Sequence, residues 1–274
     1  MTEQAAVWRA VIFFGVLAVL IIAERVWRRK TLTQSLRDRW VPNLGVFLTG
    51  TIVTRGLVVF SGLAASLYAA RQGWGIFNIL PVPEWVAIAV SLILLDMAVW
   101  FQHVLSHRWQ WLWRLHRVHH SDMDIDVTTA LRFHPVEIGL SLLYKSAIVI
   151  ILGAPLMAVL LFDILLNGLA MFNHANLVLP QPLDRVLRKL IVTPDMHRVH
   201  HSVHEDETNS NYGFCLSLWD RIFGVYTPQP RDGHKDMVIG LSLFRDIKGL
   251  GFWGLLIQPR VKGSAEVDAP SVRE

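Results

Sequence analysis

Four long apolar stretches constrain the fold of this 274-residue chain more than any other feature. They lie near residues 7–24, 43–69, 84–104 and 137–172, and each is long enough to enter a bilayer. Inside lipid the backbone N–H and C=O groups must pair within the chain, which helices achieve. The fourth stretch contains Gly153-Ala154-Pro155, which divides it into two short halves and indicates a helical hairpin or two short, tilted passes. The sequence therefore predicts an all-α integral membrane protein with about four transmembrane regions, one of them a helical hairpin.

The composition narrows the class of partner. Apolar residues make up 53% of the chain, more than an ordinary soluble domain carries. The net charge is only +4, and the basic residues cluster mainly at the ends of the apolar stretches, which favours anionic lipid headgroups and argues against nucleic acid. Cys215 is the single cysteine, so neither an intrachain disulfide nor a cysteine metal cluster is expected.

Charge asymmetry between the loops predicts the orientation in the membrane. Residues 71–83 carry only Arg71, whereas residues 24–43 carry Arg25, Arg28, Arg29, Lys30, Arg37 and Arg39. The positive-inside rule makes the second of these segments cytoplasmic. The third apolar stretch then ends on the cytoplasmic side, and the hairpin leaves and returns there. We expect all histidine motifs in a helical cap on that face, at the inner membrane if the source is bacterial.

The sequence His-Arg-Val-His-His-Ser occurs twice, at residues 116–121 and 197–202. On a helix, positions i, i+3 and i+4 share a face, so each copy should point three imidazoles in one direction. His103 and His107 form a further pair at i, i+4. So many imidazoles crowded without a metal would repel when protonated and lack donors when neutral. The pattern predicts a polynuclear metal site, whereas His234 and, in part, His204 are better interpreted as surface or core residues.

Two local patterns predict how the helices begin and bend. The nine residues from His107 to His116 turn a straight helix through about 900°, which would place the two motifs on opposite faces. A bend is therefore expected in the tryptophan-rich stretch 109–113. Thr193-Pro194 predicts an N-cap and a first-turn proline for the helix that carries the second repeat. The preceding residues 183–191 have helical spacing typical of a helix on the headgroups.

The three motifs in order, HxxxH, HxxHH and HxxHH around a membrane hairpin, resemble those of the fatty acid hydroxylase / sterol desaturase superfamily. The resemblance covers roughly residues 85–227 and includes the segments 132–137, 173–174, 211–213 and 218–221. It implies a membrane-bound non-haem di-iron enzyme that uses dioxygen to hydroxylate or desaturate an unactivated C–H of a lipid. We divide the chain into N-terminal transmembrane helices (1–84), a histidine-box catalytic domain (85–240) and a C-terminal tail (241–274).

The resemblance also implies a ligand set for two iron ions, with no catalytic residue beyond the ligands. Some family members have a second histidine four positions before His174, where this chain has Ala170. His134 is then either a replacement ligand or an outer residue. Asp96, two turns before His103, and Glu137 are candidates for orienting an imidazole. The candidate ligands are His103, His107, His116, His119, His120, His134, His174, His197, His200 and His201.

The remaining expectations concern partners and rival functions. The substrate is left open among fatty acyl chains, sterols, carotenoids and ether lipids. A separate electron donor is expected, either a reductase with cytochrome b5 or a ferredoxin. A membrane zinc hydrolase is the alternative enzyme, although His103-Val-Leu-Ser-His107 lacks the glutamate of an HExxH motif. A metal transporter or haem carrier is the non-enzymatic alternative, although transport sites tend to lie near the bilayer midplane.

Overall fold

The protein is all-helical throughout residues 2–261, the part of the chain that this computed structural model describes. This confirms the fold class that the apolar stretches predict. Within that range, β-type backbone pairing is limited to three isolated bridges. Short 3₁₀ segments occupy Val58–Phe60, Val127–Leu131, Ile247–Leu250 and Gln258–Arg260. The α-helices are α1 (Thr2–Val26), α2 (Leu36–Gly56), α3 (Gly62–Gln72), α4 (Ile76–Ile79), α5 (Glu84–Arg108), α6 (Gln110–His120), α7 (Pro135–Leu152), α8 (Leu156–His174), α9 (Gln181–Leu187), α10 (Pro194–His200), α11 (Glu205–Thr208), α12 (Leu218–Ile222), α13 (Gly233–Asp236) and α14 (Phe252–Ile257).

Four helices of the described chain are long and apolar enough to cross a membrane. They comprise Val7–Val26 of α1 and the whole of α5, α7 and α8. The predicted hairpin is confirmed, with α7 and α8 as its arms. Gly153 ends α7 in the left-handed conformation with φ +64°, and Pro155 directly precedes α8. The chain can reverse here because glycine tolerates that conformation and proline cannot continue a helix.

The single helix predicted near residues 43–69 is wrong in that form. The chain there makes two helices, α2 and α3, separated by the 3₁₀ turn Val58–Phe60. The second helix starts afresh because the Ser61 hydroxyl caps it, accepting the backbone N–H of Ala64 at 3.3 Å. Neither helix alone has the length and hydropathy of a span, but both pack against α7.

The two ends of the helical bundle differ in chemistry. The histidine motifs lie at one end, where the buried Glu24 of α1 accepts the backbone N–H groups of Val127 and Asn176 at 2.7 and 2.6 Å. At the opposite end Gly75, before α4, packs directly on Gly153 of the hairpin turn. A Cβ at Gly75 would lie 2.1 Å from the Gly153 backbone nitrogen. Helices α1, α5 and α8 therefore run towards the histidine end, and α2 and α3 together run away from it.

The predicted bend between the first two histidine motifs is confirmed. Helix α5 ends at Arg108 and α6 begins at Gln110, with Trp109 between them in an extended conformation at φ −96°, ψ 117°. One extended residue breaks the helical phase. Helix α6 can therefore fold back towards α5, and the two helices pack against each other.

A buried charge network fixes α2 beneath the histidine motifs. Arg39 donates to Asp122 at 2.9 Å and also to Asp126, and all three side chains are buried. Although burial opposes ionisation, the Arg39 guanidinium holds the pKa of Asp122 at about 2. Arg132 completes the network by donating to the backbone carbonyl of Val118 at 2.8 Å. The turn that follows the first HxxHH motif is therefore held by ion pairs as well as by packing.

The C-terminal part of the described chain packs on the same region. Helix α14 lies so close to α2 that a Cβ at Gly45 would meet the Phe252 ring at 2.6 Å. Arg117 of α6 donates to the backbone carbonyls of Gln258 and Val261. The polar tail predicted after Lys262 lies outside the described residues.

Candidate metal centre

Four helices deliver nine histidines to one buried region. His103 and His107 come from the end of α5, and His174 comes from the end of α8. The remaining six lie on α6 and at α10, which starts as predicted with Thr193 capping the backbone N–H of Met196 and Pro194 in the first turn. Every one of these nine histidines is buried.

The nine side chains form two groups, and in each group the ligand atoms lie within 4.8 Å of one another. We call them the five-histidine group and the four-histidine group. The five-histidine group consists of His103, His107, His116, His120 and His200. The four-histidine group consists of His119, His174, His197 and His201. Each HxxHH motif is therefore divided between the groups, contrary to the expectation that it would point all three imidazoles in one direction.

Hydrogen bonds fix the tautomers of three members of the five-histidine group. His103 and His200 place Nδ1 at 2.7 Å from the backbone carbonyls of Tyr212 and Ser210, and His116 places Nδ1 at 2.6 Å from Glu137 Oε1. Carbonyl and carboxylate oxygens only accept, so each Nδ1 carries the proton and each Nε2 carries a lone pair.

These lone pairs face one another. His103 Nε2 lies 3.0 Å from His116 Nε2 and 3.1 Å from His200 Nε2. Two neutral imidazoles with both Nε2 atoms deprotonated cannot hydrogen-bond to each other at this distance. A cation between them converts the repulsion into ligation, and hydrogen bonding of the outer ring nitrogen is the usual arrangement around a metal-bound histidine.

The four-histidine group repeats the arrangement around His174. Its Nδ1 donates to the backbone carbonyl of Ala170 at 2.7 Å, which leaves a lone pair on Nε2. This Nε2 lies 3.0 Å from Nε2 of both His119 and His197. Both ring nitrogens of the buried His201 have no hydrogen-bond partner within residues 2–261. Ala170, where some relatives were expected to have histidine, thus contributes a backbone oxygen.

The nitrogen separations suit a bound metal ion. At a metal–nitrogen distance of about 2.1 Å, two ligands at about 90° to each other lie about 3.0 Å apart, and two at the tetrahedral angle lie about 3.4 Å apart. The observed values of 3.0 and 3.1 Å are close to the first of these separations. Each group therefore fits a bound metal ion, with imidazole nitrogens as the donors.

Burial also keeps the imidazoles in the form that binds metal. It is the main cause that lowers the pKa values of His119, His120, His197 and His201 well below the ordinary range, and neighbouring imidazoles lower them further. Burial likewise lowers the pKa of His200 to about 3. These rings are neutral at physiological pH, so their nitrogen lone pairs are available for ligation.

Two of the residues singled out from the sequence have other partners. The structure does not bring His134 into either group, because its Nδ1 caps α7 by accepting the Val136 backbone N–H and its Nε2 contacts the Leu256 carbonyl at 3.2 Å. Asp96 accepts hydrogen bonds from the Trp219 indole at 2.8 Å and the Leu216 backbone instead of holding an imidazole. Both residues position helices around the site.

Glu137 and the two remaining histidines each have a polar partner. Glu137 orients His116, as described above. His204 pairs with Asp232 at 2.7 Å near the surface, and His234 is buried in α13, 3.7 Å from Asp195. Neither histidine belongs to the five- or the four-histidine group.

The backbone carbonyls of Ser210 and Tyr212 are positioning groups that the sequence reasoning missed. The loop that carries them is held by Asp220, which accepts the Tyr212 and Gly213 backbone N–H groups at 2.8 and 3.0 Å. Asn211, which lies between Ser210 and Tyr212, adopts φ +51°, and asparagine itself is the sequence signal because it is enriched in that conformation. The carbonyls on either side of Asn211 contact His200 and His103.

A cleft reaches the five-histidine group from outside the helical bundle. It ends at His107 and Trp113, whose rings lie 5.0 Å apart between centroids. The other residues that line it come from α11, its flanking loop and the segment after α13, namely Val203, Glu205, Thr208, Asn209, Leu241 and Ser242. His107 is the member of the five-histidine group that lines this cleft.

Comparison with known proteins gives a consistent set of relatives. The fatty acid hydroxylase family model matches residues 88–225. The ornithine lipid hydroxylase of Rhizobium tropici is 25% identical over 284 residues, covering 100% of this chain and 82% of that protein. The alkylglycerol monooxygenase of Danio rerio is 32% identical over 160 residues, covering 57% of this chain and 34% of that protein. A cholesterol 25-hydroxylase-like protein of Danio rerio is 30% identical over 140 residues, covering 50% and 54% respectively. No solved structure matches significantly.

Proposed function

The chain belongs to the fatty acid hydroxylase family, and we propose that it is a membrane-bound di-iron oxygenase that hydroxylates an unactivated C–H position of a membrane lipid. The overall reaction consumes the lipid, dioxygen, two electrons and two protons, and it yields the hydroxylated lipid and water. Desaturation, which consumes the same reagents and yields an alkene and two waters, is the alternative outcome at such a centre.

The observation that carries this proposal is the convergence of unprotonated imidazole nitrogens in two adjacent groups. Six of the nine buried histidines make Nε2–Nε2 contacts of 3.0 to 3.1 Å, which favours bound cations. The division of the nine into groups of five and four supports two ions. Imidazole ligands suit iron, zinc and copper alike. The family relationship, in which the relatives are named hydroxylases and monooxygenases, makes iron the metal to expect.

The side chains around the two groups suit this chemistry. Two irons held by these histidines would supply the binding and activation of dioxygen. Glu137 keeps the His116 proton on Nδ1, which directs the other ring nitrogen inward. Phe133 stacks on His119 at 4.3 Å, and Phe214 lies 4.8 Å from His103. These rings exclude water from the site and offer an apolar wall to a lipid chain.

The relatives suggest which substrates to test first. The relative that aligns with all of this chain is named an ornithine lipid hydroxylase, so a lipid with an amino-acid headgroup is the first candidate. Ether lipids and sterols follow from the other names, although the chain spans only about a third of the alkylglycerol monooxygenase and about half of the cholesterol 25-hydroxylase-like protein. The names of these relatives favour hydroxylation over desaturation.

We place the histidine-bearing end of the helical bundle on the cytoplasmic side. Arg25, Arg28 and Arg37 are exposed in and beside the segment that joins α1 to α2, which lies at that end. At the hairpin end the chain from residue 71 to residue 83 offers only Arg71. This bias follows the positive-inside rule. Electrons would then come from a cytoplasmic reductase with cytochrome b5 or from a ferredoxin.

The test is to purify the full chain in lipid nanodiscs and measure metal content, oxygen uptake and lipid products by mass spectrometry. We expect two irons per chain and incorporation of one atom of labelled dioxygen into the lipid. His200→Ala removes a ligand of the five-histidine group, and His119→Ala removes one of the four-histidine group; each should abolish turnover and lower the iron content. His204→Ala is the matched control, because its ring binds only the surface Asp232.

Four results would refute the proposal. Activity in a preparation freed of metal would show that the histidine groups are not the catalytic centre. Turnover without oxygen would instead support the zinc hydrolase, and metal uptake into vesicles without lipid oxidation would support the transporter. A loss of iron in His204→Ala as large as in His200→Ala would show that the assigned ligands are wrong.

A further inference from the structure

Helix α9 has its polarity reversed relative to an ordinary surface helix. Asp184 of the helix and Arg188, which directly follows it, are buried and form an ion pair at 2.6 Å. Leu183, Val186 and Leu190, which follow one another at helical spacing, are 46%, 64% and 65% exposed. In water a helix turns its apolar stripe inward. This helix turns its apolar side chains away from the protein.

Helix α12 shows the same reversal. Asp220 and Trp219 are buried and serve the core, where Asp220 accepts the Trp100 indole N–H at 2.8 Å. Leu218, Ile222 and the adjacent Phe223 are 42%, 58% and 54% exposed. Single exposed leucines are common on soluble proteins and need no explanation. Here two neighbouring helices both bury charged residues and expose apolar ones, so the exposed apolar side chains form a patch.

Hydrogen bonds join the two helices, so that their exposed apolar side chains form one surface. Ser217, just before α12, donates its backbone N–H to the Leu190 carbonyl at 3.1 Å and its hydroxyl to the Arg188 carbonyl at 2.7 Å. Arg221 donates to the same Arg188 carbonyl at 2.8 Å. We call this surface the α9–α12 face. It consists of Leu183, Val186, Leu190, Leu218, Ile222 and Phe223.

The α9–α12 face lies beside α5, one of the four helices long and apolar enough to cross a membrane. The Phe223 ring stacks on Trp100 of α5 with 4.6 Å between centroids and 18° between planes. Trp100 lies eight residues before the end of α5, about 12 Å along the axis. The 25 residues of α5 measure about 37 Å, against about 30 Å of hydrocarbon. Trp100 and Phe223 thus fall just inside the hydrocarbon boundary on the histidine-bearing side.

Basic side chains lie beside these apolar residues. Arg185 and Lys189 are exposed and alternate along the chain with Val186 and Leu190. Apolar residues flanked by cations are the arrangement of helices that lie in the membrane interface, with the cations among lipid phosphates. We propose that the α9–α12 face is submerged in the lipid leaflet at the histidine-bearing end. The short helices α9 and α12 then form a monotopic membrane contact in addition to the four spans.

This contact would tie the membrane to the metal centre. Asp220 of α12 also holds the loop whose Tyr212 carbonyl orients His103. A helix anchored in the leaflet therefore fixes the distance between the bilayer and the five-histidine group. The inference rests on exposure and packing of the protein alone, and it stands whichever metal or reaction the centre supports.

The single cysteine of the chain makes a direct test simple. In a Cys215→Ala background, Val186→Cys and Ile222→Cys place an environment-sensitive fluorophore at the centre of the α9–α12 face. Asp206→Cys, whose side chain is 70% exposed on α11, is the aqueous control. Phe101→Cys, 49% exposed on α5, is the bilayer reference. The labelled full-length proteins are reconstituted in phosphatidylcholine vesicles, with and without acyl-chain bromination, and iodide is the aqueous quencher.

We expect brominated lipid to remove most of the fluorescence at positions 186 and 222, as at 101, while iodide quenches only the label at 206. Iodide quenching at 186 and 222 equal to that at 206 would overturn the proposal, because the face would then be in water. Protection from both quenchers would also overturn it. That result, with a dependence on the protein-to-lipid ratio, would assign the face to a second copy of the chain.

Discussion

Replacing Glu137 with glutamine isolates the contribution of one carboxylate to one metal ion. Its Oε1 lies 2.6 Å from His116 Nδ1, and the residue is buried in the first turn of α7. The glutamine carbonyl has the same reach and still accepts the Nδ1 proton, so the tautomer and the ring position are preserved. What disappears is the negative charge, which makes His116 a stronger donor to a cation on Nε2.

The size of the effect follows from the kind of hydrogen bond that is lost. Charged hydrogen bonds contribute about 1.5–3 kcal/mol, and neutral ones contribute about 0.5–1.5 kcal/mol. The difference of about 1.4 kcal/mol corresponds to a tenfold change in affinity. Glu137→Gln should therefore weaken the ion in the five-histidine group about tenfold and leave the ion in the four-histidine group unchanged, because His116 belongs only to the former.

Chelator competition on the loaded protein can resolve the two ions. The variant should release one ion per chain about tenfold more readily than wild type, with the second ion released as before. His134→Asn is the matched control, because asparagine preserves the cap of α7 while removing an imidazole that lies outside both groups. It should release both ions as wild type does.

Three outcomes of the chelator experiment would refute this reasoning. If Glu137→Gln made both ions equally labile, the carboxylate would be stabilising the helical bundle as a whole. If neither ion changed, the short contact with His116 would have no electronic role. Loss of one ion in His134→Asn would return His134 to the ligand set.

Three further predictions concern the scaffold. Gly75→Ala should prevent folding, because its Cβ would meet the hairpin backbone at 2.1 Å, and the measurement is loss of monodisperse protein. The control Gly73→Ala is also at positive φ but faces open space, so it should lower the unfolding free energy by only about 1–2 kcal/mol. Arg39→Met leaves two buried aspartates without their cation and should lower the unfolding free energy by about 3–5 kcal/mol, whereas the exposed Arg37→Met should change it by less than about 0.5 kcal/mol. Burial lowers the pKa of His234 to about 4 from 6.5, so the unfolded state binds more protons between these values and stability falls with acidification. His234→Gln should remove about 1.4 kcal/mol per pH unit of that slope between pH 4 and 6.5 and none above it, as measured by denaturant titrations.

The fold was predictable where a local rule decided it. The hairpin turn needed only Gly153 and Pro155, and the bend at Trp109 followed from helical phase. The break within residues 43–69 was not predicted, because hydropathy averages over the stretch and hides the new N-cap at Ser61. A serine that can cap a helix is visible in the sequence, but whether it does so depends on the packing of α2 and α3 against α7.

Around the site, too, some residue roles follow from a local sequence pattern and others do not. His134 precedes Pro135 just as Thr193 precedes Pro194, so a first-turn proline marks the start of a helix at both places. Threonine is a favoured N-cap residue and histidine is not, so the sequence predicts the cap at Thr193 but not the cap that His134 makes. Asp96 is different, since its partner Trp219 lies 123 positions away in the sequence, and no local pattern predicts that pairing.

The division of each HxxHH motif explains why the chain has two copies. Neighbouring residues on a helix point about 100° apart, while i and i+4 point only about 40° apart. His116 and His120 accordingly enter the five-histidine group, and His119 enters the other. The second motif does the reverse: its i, i+4 pair enters the four-histidine group and its middle histidine crosses to the first. Neither group is complete without both helices, so α6 and α10 must dock before either group can hold an ion, and the same pair of helices keeps the two groups side by side.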